Sequence, residues 1–431
     1  MAGTFQLERE AQTIIIFISP MQFLYSLGIK SYYYGVKVAS LLGNQKARTW
    51  LLGRQHWLRD LKENIPKGAR PYWFHVASLG EFEQAAPIIE AIKQTTPNQF
   101  ILLTFFSPSG FEFKKNYPLA DYICYLPLDL KQNAKHFIQS VQPQRVFFIK
   151  YEFWFNFLTE LKARKIRTYL VSGIFRPKQH FFNLYGAWFR KKLDVFTYFF
   201  VQNKQSKELL HSIGYSNCIV SGDTRLDRVL NITEEKFNKA ALKSFSKDAE
   251  VVIFGSSWAK EHEIAIQLYK INPSFKIIIA PHEIEPSNIT STKNRFSTGV
   301  KLWSELKEED NLEKCRILII DTIGLLSKIY RYGNYAFIGG GYGSGLHNTL
   351  EPLAYKLPIF FGPKYTKFQE AVDIIRLKVG NSVNNVEELN QILTHLSINS
   401  ERYQFIQDTI RTYISSNSGA TKKILEHIRN N

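Results

Sequence analysis

Tyr72-Trp73-Phe74-His75-Val76-Ala77, followed at once by Ser78-Leu79-Gly80-Glu81, reads as a buried strand running into the start of a helix. The strand is rich in aromatic and apolar residues. The helix shows itself by apolar residues at Phe82, Ala85, Ala86, Ile89 and Ile92, the roughly 3.6-residue spacing of a buried stripe. Glu81 falls in the first helical turn. A carboxylate there feels the positive end of the helix dipole, which favours its ionised form and readies it to accept a proton near neutral pH. Ser-x-x-Glu before an apolar run is equally the pattern of a capping box, which satisfies free backbone N–H groups. On spacing alone, Glu81 is either a catalytic base or a cap.

Outward from this unit, β-rich runs at 100–105, 122–128, 145–150, 167–171 and 198–201 alternate with amphipathic stretches. That rhythm implies βα units and a mostly parallel sheet. The strand signal lapses into a polar, Lys-rich passage near 221–250 and restarts at 251–254, 276–280, 317–320, 335–338 and 357–361. The expected fold class is α/β, with two Rossmann-like halves. A length of 431 residues agrees, being too long for one ordinary core and suited to two domains of about 200 residues. The expected boundaries are 1–45 for an N-terminal segment, 46–225 for the first domain and 226–431 for the second.

In the second half each strand runs into a loop of small or polar residues: Gly255-Ser256-Ser257-Trp258, Pro281-His282-Glu283, Asp321-Thr322-Ile323-Gly324 and Gly339-Gly340-Gly341-Tyr342-Gly343-Ser344-Gly345. Ligands of open α/β sheets sit where such loops converge, at the carboxyl ends of the strands, so a bound nucleotide is the natural inference. The glycine run satisfies G-x-G-x-x-G in no frame and lacks the Lys-Ser or Lys-Thr of a P-loop, which removes the main support for hydride transfer or ATP hydrolysis. It leads into Leu346-His347-Asn348-Thr349-Leu350-Glu351-Pro352, a helix start whose N–H groups can hold a phosphate and whose Glu351 can accept from ribose hydroxyls. The same residues also read as a cap, with Asn348 at the N-cap and Glu351 at N3.

The 55 Lys and Arg against 38 Asp and Glu leave a formal charge of +17, which points to an anionic partner. The basic residues are spread along the chain and match no zinc, homeodomain or RNP pattern, so a membrane surface or a phosphorylated substrate ranks above nucleic acid. Cys124, Cys218 and Cys315 are far apart and odd in number, and no His-Glu-x-x-His or similar pair occurs, so the expectation is no disulfide framework and no protein-bound metal. Residues 11–29 carry no charge and include Ile14-Ile15-Ile16-Phe17-Ile18, long enough for a marginal membrane span. Tyr32-Tyr33-Tyr34 with Lys30 and Lys37 suits a headgroup region, and Lys46, Arg48, Arg54 and Arg59 follow on what would be the cytoplasmic side. A membrane anchor is expected, although Pro20 weakens the span and a buried core helix is the alternative. A start at Met21, the only methionine besides Met1, would make the segment interfacial.

Taken together, these segments resemble the 3-deoxy-D-manno-octulosonic acid (Kdo) transferases of lipopolysaccharide synthesis over nearly the whole chain. The resemblance is carried by Leu24-Tyr25-Ser26, Gly53-Arg54, His75 to Glu81, Tyr151-Glu152-Phe153-Trp154 and Gly222-Asp223-Thr224-Arg225-Leu226-Asp227. It continues through Gly255-Ser256-Ser257-Trp258, Asp321-Thr322-Ile323-Gly324 with Leu326, His347-Asn348-Thr349-Leu350-Glu351-Pro352 and Phe361-Gly362-Pro363. It implies an inverting glycosyltransferase of the GT-B fold, with two Rossmann-like domains facing a central cleft. CMP-Kdo is the implied donor and a phosphorylated lipid A precursor the acceptor, at the cytoplasmic face of the inner membrane, with no cofactor. By the same resemblance Glu81 matches the general base. Pro281, His282, Ile323, Gly324, Leu325, Asn348, Thr349, Leu350 and Glu351 match CMP-binding segments, and Ser256, Gly341 and His347 join them as donor contacts.

Two departures stand out. The family often has Pro-Arg-His where this chain has Pro281-His282-Glu283, and Gly-Gly-His-Asn where it has Gly345-Leu346-His347-Asn348. The missing arginine leaves Lys364 or Arg225 as the cation for the donor phosphate. For the acceptor phosphates Lys150, Arg176, Lys178 and His180 lie at or after strand ends of the first half, with Arg suited to bidentate and Lys to point-charge contacts. Rival readings are a sugar-nucleotide 2-epimerase or another nucleotide-sugar enzyme of the same fold, and a non-catalytic membrane scaffold.

Overall fold

Strands buried on both faces need apolar residues at nearly every position, and in such sheets parallel pairing is the rule. The first seven strands follow it: β1 Tyr72–Val76, β2 Ile101–Phe105, β3 Tyr122–Tyr125, β4 Arg145–Ile149, β5 Arg167–Gly173, β6 Phe196–Val201 and β7 Cys218–Val220. They pair in the order β3-β2-β1-β4-β5-β6-β7. The structure, a computed structural model, describes residues 2–296, 299–307, 309–343 and 345–430, with side chains described from residue 21 onward. Seven further strands form a second sheet: β8 Glu250–Ser257, β9 Phe275–Pro281, β10 Val300–Leu302, β11 Ile317–Ile319, β12 Tyr335–Ile338, β13 Ile359–Phe361 and β14 Gly380–Ser382. Their order is β10-β11-β9-β8-β12-β13-β14. All twelve strand pairings are parallel.

The chain divides into two compact units, Met1–Arg225 with Gly419–Asn431, and Leu226–Ser418. The last helix, Ala420–Asn430, therefore belongs with the first unit, whereas the sequence-based boundary ran the second domain to residue 431. The reason is apolar: Ile424 and Ile428 are buried against Ile89, Ile101 and Phe200, and the His427 ring lies 3.7 Å from that of Tyr198.

Aromatic packing sets the first sheet. Phe74 stacks on Phe147 at 4.4 Å and Phe147 on Tyr169 at 5.4 Å on one face. On the other, Trp73 meets Phe137, Phe148 and Phe157. In each unit the strand order reverses beside the first strand, at β1/β4 and at β8/β12. Loops leaving adjacent strands diverge at such a switch point and open a crevice at their carboxyl ends. Glu81 and Glu152 stand at the first switch point, and the Gly255–Trp258 loop and the glycine run stand at the second.

Helix Ala2–Leu41 docks on the first unit by one face. Met21 and Tyr25 pack on its core. The Tyr25 hydroxyl donates to Asp129 Oδ2 at 2.6 Å, and Gln22 links Asn156 at 2.7 Å and Lys192 at 2.9 Å. Asp129 is 1% exposed and also accepts from the Asn156 and Phe157 backbones. Among the described residues no helix is long and apolar enough to cross a membrane; Ile14-Ile15-Ile16-Phe17-Ile18, the apolar heart of the expected anchor, lies outside those whose side chains are described.

Tyr25→Phe removes a donor from a buried carboxylate, which costs about 1.5–3 kcal/mol. The expected result is a lower urea midpoint for the first unfolding transition. An unchanged midpoint would show that this bond does not hold the helix.

Candidate active site

Ser78 caps helix Leu79–Thr95, and Glu81 completes a capping box. Its Oε2 accepts from the Ala77 N–H at 2.6 Å, the Ser78 N–H at 2.9 Å and the Ser78 hydroxyl at 3.3 Å. The cap reading is therefore correct in geometry. It does not exhaust the residue, because Oε1 has no hydrogen-bond partner among the described residues. Glu81 is only 9% exposed. Burial, then the charge of Glu152, push its carboxyl up to about 7, against the opposing pull of the Ala77 and Ser78 N–H groups and Lys150. The helix terminus alone would have favoured the ionised form strongly; burial and a like charge overrule it. The outcome is a carboxyl poised near neutrality, with one oxygen free to take a proton.

Glu152, in the loop after β4, is held by its own network. Trp154 Nε1 donates to Glu152 Oε2 at 2.7 Å, and His75 Nε2 lies 3.2 Å from the same oxygen. His75 is wholly buried, with Nδ1 2.8 Å from Thr104 Oγ1. Thr104 accepts from Trp73 Nε1 at 2.8 Å and donates to the Phe74 carbonyl, which assigns the Nδ1 proton to His75. Its Nε2 then accepts from Trp154 Nε1 at 2.9 Å in the neutral ring, or donates to Glu152 when doubly protonated. In both states the Trp154 N–H holds Glu152, and His75 adds a bond of its own only when doubly protonated.

The proposed acceptor cations fall into two groups. Lys150, whose φ of 66° puts a non-glycine residue in the left-handed region, acts on Glu81 and lies 5.5 Å from the Tyr151 ring. Arg176 reaches the Tyr151 hydroxyl at 3.4 Å. Tyr151 thus brings both together, while Lys178 is exposed and His180 turns to the Tyr185 hydroxyl.

In the second unit, the loops after β8, β9 and β12 meet in a stack of rings. Trp258 lies 4.4 Å from His282, and His282 lies 4.3 Å from His347. Trp258 Nε1 donates to His347 Nε2 at 3.0 Å. Burial and His282 push His347 down to about 4, so this imidazole is neutral at pH 7 and acts as the acceptor. Glycine is required where the loops touch: a Cβ on Gly339 would fall on the Ser256 carbonyl, and one on Gly341 on the Gly362 backbone. Ser256, two residues before Trp258, is thereby held against the glycine run, Gly340 approaches the His347 ring, Gly341 packs on Gly362, and Pro281 ends β9 immediately before His282. Ser344 of the glycine run lies outside the described residues.

The remaining donor candidates divide by burial. Asn348 donates to Glu351 Oε1 at 3.0 Å and accepts from the Leu350 N–H at 3.0 Å, so it caps helix Leu350–Ala354 from one position before its N-cap, Thr349. Leu350 and Thr349 are buried at 1% and 4%, which leaves their side chains to the core. Ile323 is 73% exposed, Gly324 has φ 88°, and Leu325 packs on the core. Of the two substitute cations, Arg225 is committed to Asp223, with Nε 2.9 Å from Oδ2, whereas the Lys364 backbone donates to Gly341 O at 2.8 Å and sets that lysine beside the glycine run. Among the described residues no cluster of His, Cys, Asp or Glu is placed to hold a metal.

Three groups escaped the sequence reading: His75 and Trp154 as supports of Glu152, and Trp258 as a member of the ring stack. The motifs containing them were visible, but their roles depend on strand neighbours.

Residues 52–228 match the family described as 3-Deoxy-D-manno-octulosonic-acid transferase (kdotransferase). The chain is 27% identical to a 3-deoxy-D-manno-octulosonic acid transferase of Aquifex aeolicus, over 78% of this chain and 88% of that one. It is also 27% identical to a bifunctional glycosyltransferase/methyltransferase of Fusobacterium nucleatum, over 73% of this chain but only 51% of that protein, so it spans about half that relative's length. The crystal structure of UDP-GlcNAc 2-epimerase from Neisseria meningitidis superposes with a TM-score of 0.59 at 15% identity, over 84% of this chain and 100% of that one. This last likeness establishes the fold, two parallel-sheet α/β units of the GT-B kind. The resemblance to Kdo transferases read from the motifs is borne out by the family match and the curated relatives.

A base with its pKa near 7 is competent only when ionised. The expected kcat/KM therefore falls about tenfold per pH unit below about 7. Glu152→Gln removes the like charge and should move this acid limb to lower pH. A limb that stays in place would show that Glu152 does not tune Glu81.

Proposed function

We infer that this chain, a Kdo transferase by its motifs and relatives, moves Kdo from CMP-Kdo to a hydroxyl of a phosphorylated lipid A precursor with inversion. The observation that carries the reading is Glu81: a buried carboxyl raised to about 7, at the switch point of the first sheet, with Oε1 unpartnered among the described residues. As the acceptor oxygen bonds to the anomeric carbon of Kdo, its proton passes to Glu81 and the bond from that carbon to the CMP phosphate oxygen breaks, its electron pair leaving with CMP. CMP is a good leaving group, so the protein's task is to place two reactants and to meet phosphate charge rather than to supply a strong acid. On the donor side that task falls to the Trp258, His282 and His347 stack, to Ser256 and the glycine run, with Lys364 as the cation beside Gly341. On the acceptor side Lys150 and Arg176, gathered at Tyr151, receive lipid phosphate. No metal or other cofactor enters the scheme.

A lipid acceptor places the enzyme at the cytoplasmic face of the inner membrane, and helix Ala2–Leu41 supports that placement. With one face docked, it still exposes Phe23, Leu24, Leu27, Tyr34, Val38 and Leu41, of which Phe23 is 68% and Leu41 88% exposed. A second apolar stripe facing solvent on a helix that has already buried one is the mark of a membrane-seated element, and Lys30 and Lys37 suit an anionic headgroup layer. Leu24→Glu with Leu27→Glu is expected to abolish sedimentation of the protein with phosphatidylglycerol-containing vesicles; unchanged sedimentation would remove this helix face from the membrane contact.

The direct test combines purified protein, CMP-Kdo and a bisphosphorylated lipid A precursor, with products read by mass spectrometry. Wild type should add Kdo, and Glu81→Gln should lose roughly 10²–10⁴-fold in rate. Product formation by Glu81→Gln at the wild-type rate would refute the assignment of the base, and release of free sugar without transfer would favour an epimerase-like or hydrolytic activity.

A further inference from the structure

Glu261, third residue of helix Ala259–Ile271, is 1% exposed and pairs with no Lys, Arg or His among the described residues. A buried, unpaired anion is costly unless several donors meet it. Here the donors are backbone N–H groups of two separate loops. Oε2 accepts from the Trp258 N–H at 3.0 Å, as in an ordinary capping box. Oε1 reaches across to the N–H of Gly340 at 2.9 Å, 79 residues away. Burial raises its carboxyl while the N–H groups of Trp258, Gly340 and Tyr342 oppose the rise.

Capping needs only the first of these bonds. The second joins the end of β8 to the glycine run after β12, across the switch point of the second sheet. Gly340 sits at φ 88°, in a turn that a side chain would strain. Fixing the Trp258 backbone also fixes its indole, which donates to His347 and stacks on His282. One carboxylate thus spans the loops that carry Ser256 and Trp258 on one side and Gly341 and His347 on the other.

We propose that Glu261 is the positioning residue of the donor site, holding the β8 loop and the glycine run at the separation that the nucleotide phosphate requires. The inference rests on the CMP-Kdo reading and adds to it a residue that touches no substrate.

The test uses the full chain with Glu261→Gln, which sets an amide NH2 against one of the two N–H groups, and Glu261→Asp, which keeps the charge but is too short to reach both loops. CMP affinity by calorimetry and the KM for CMP-Kdo should worsen roughly tenfold or more. The KM for acceptor should be unchanged, and hydrogen exchange should rise together in peptides covering 256–260 and 339–345. A merely structural role would lower the melting temperature and leave donor binding by the folded fraction intact, which overturns the proposal. Should both variants fail to fold, wild type with CMP decides: joint protection of the two segments supports the latch, and protection of one alone contradicts it. Wild-type protein that does not bind CMP at all overturns the donor reading and this inference with it; binding by wild type and variants alike overturns this inference alone.

Discussion

A carboxylate buried at the positive end of a helix is pulled in two directions, and the chemistry of the first unit depends on where Glu81 comes to rest. Backbone N–H groups of Ala77 and Ser78 favour its charge, and loss of water with the nearby charge of Glu152 opposes it. Neither side wins outright. Without Glu152 and burial, the group would be a stably ionised cap and a feeble base; without the two N–H groups, it would stay protonated at pH 7. The support of Glu152 belongs to the same balance: Trp154 donates to it, and the buried His75 sits against the same oxygen and the same indole N–H. The proposed base and the helix cap are one side chain, with Oε2 taken by the cap and Oε1 left for the proton.

The sheet order makes this possible. β1 and β4 are neighbours although β2 and β3 separate them in sequence, so the loops bearing Glu81 and Glu152 leave the sheet side by side. The second sheet repeats the device with β8 and β12, where glycines allow backbones to touch and Glu261 ties the two loops. The sites are therefore built at corresponding places in two sheets, one suited to removing a proton and the other to holding an anion. Where Kdo transferases often have Pro-Arg-His, this chain places His282, whose ring stacks over both Trp258 and His347 while those two are joined directly by a hydrogen bond.

Interior strands were legible in the sequence because both faces are buried and the apolar run is continuous; even three-residue β11 and β13 were read in this way. β7, β10 and β14 were not. Each is a three-residue edge strand with partly exposed side chains, so no apolar run marks it. The C-terminal helix was assigned to the wrong unit because local periodicity reports that Ile424 and Ile428 are buried, not against which sheet. Glu81 was legible as a cap or a base, but its raised pKa was not, since that depends on Glu152 three strands further along the chain and on burial that no motif states. Likewise Asn348 and Glu351 were readable as a polar helix start, while the burial of Thr349 and Leu350 appears only when the fold closes around them.

The account turns on the state of one carboxyl group, and infrared difference titration of wild type against Glu81→Gln observes it directly. It predicts a carboxylate band that titrates near pH 7 in wild type and is absent from the variant. A band titrating in the ordinary glutamate range, about 4.3, would mean that the cap dominates and that the proton of the acceptor hydroxyl must be taken by another group.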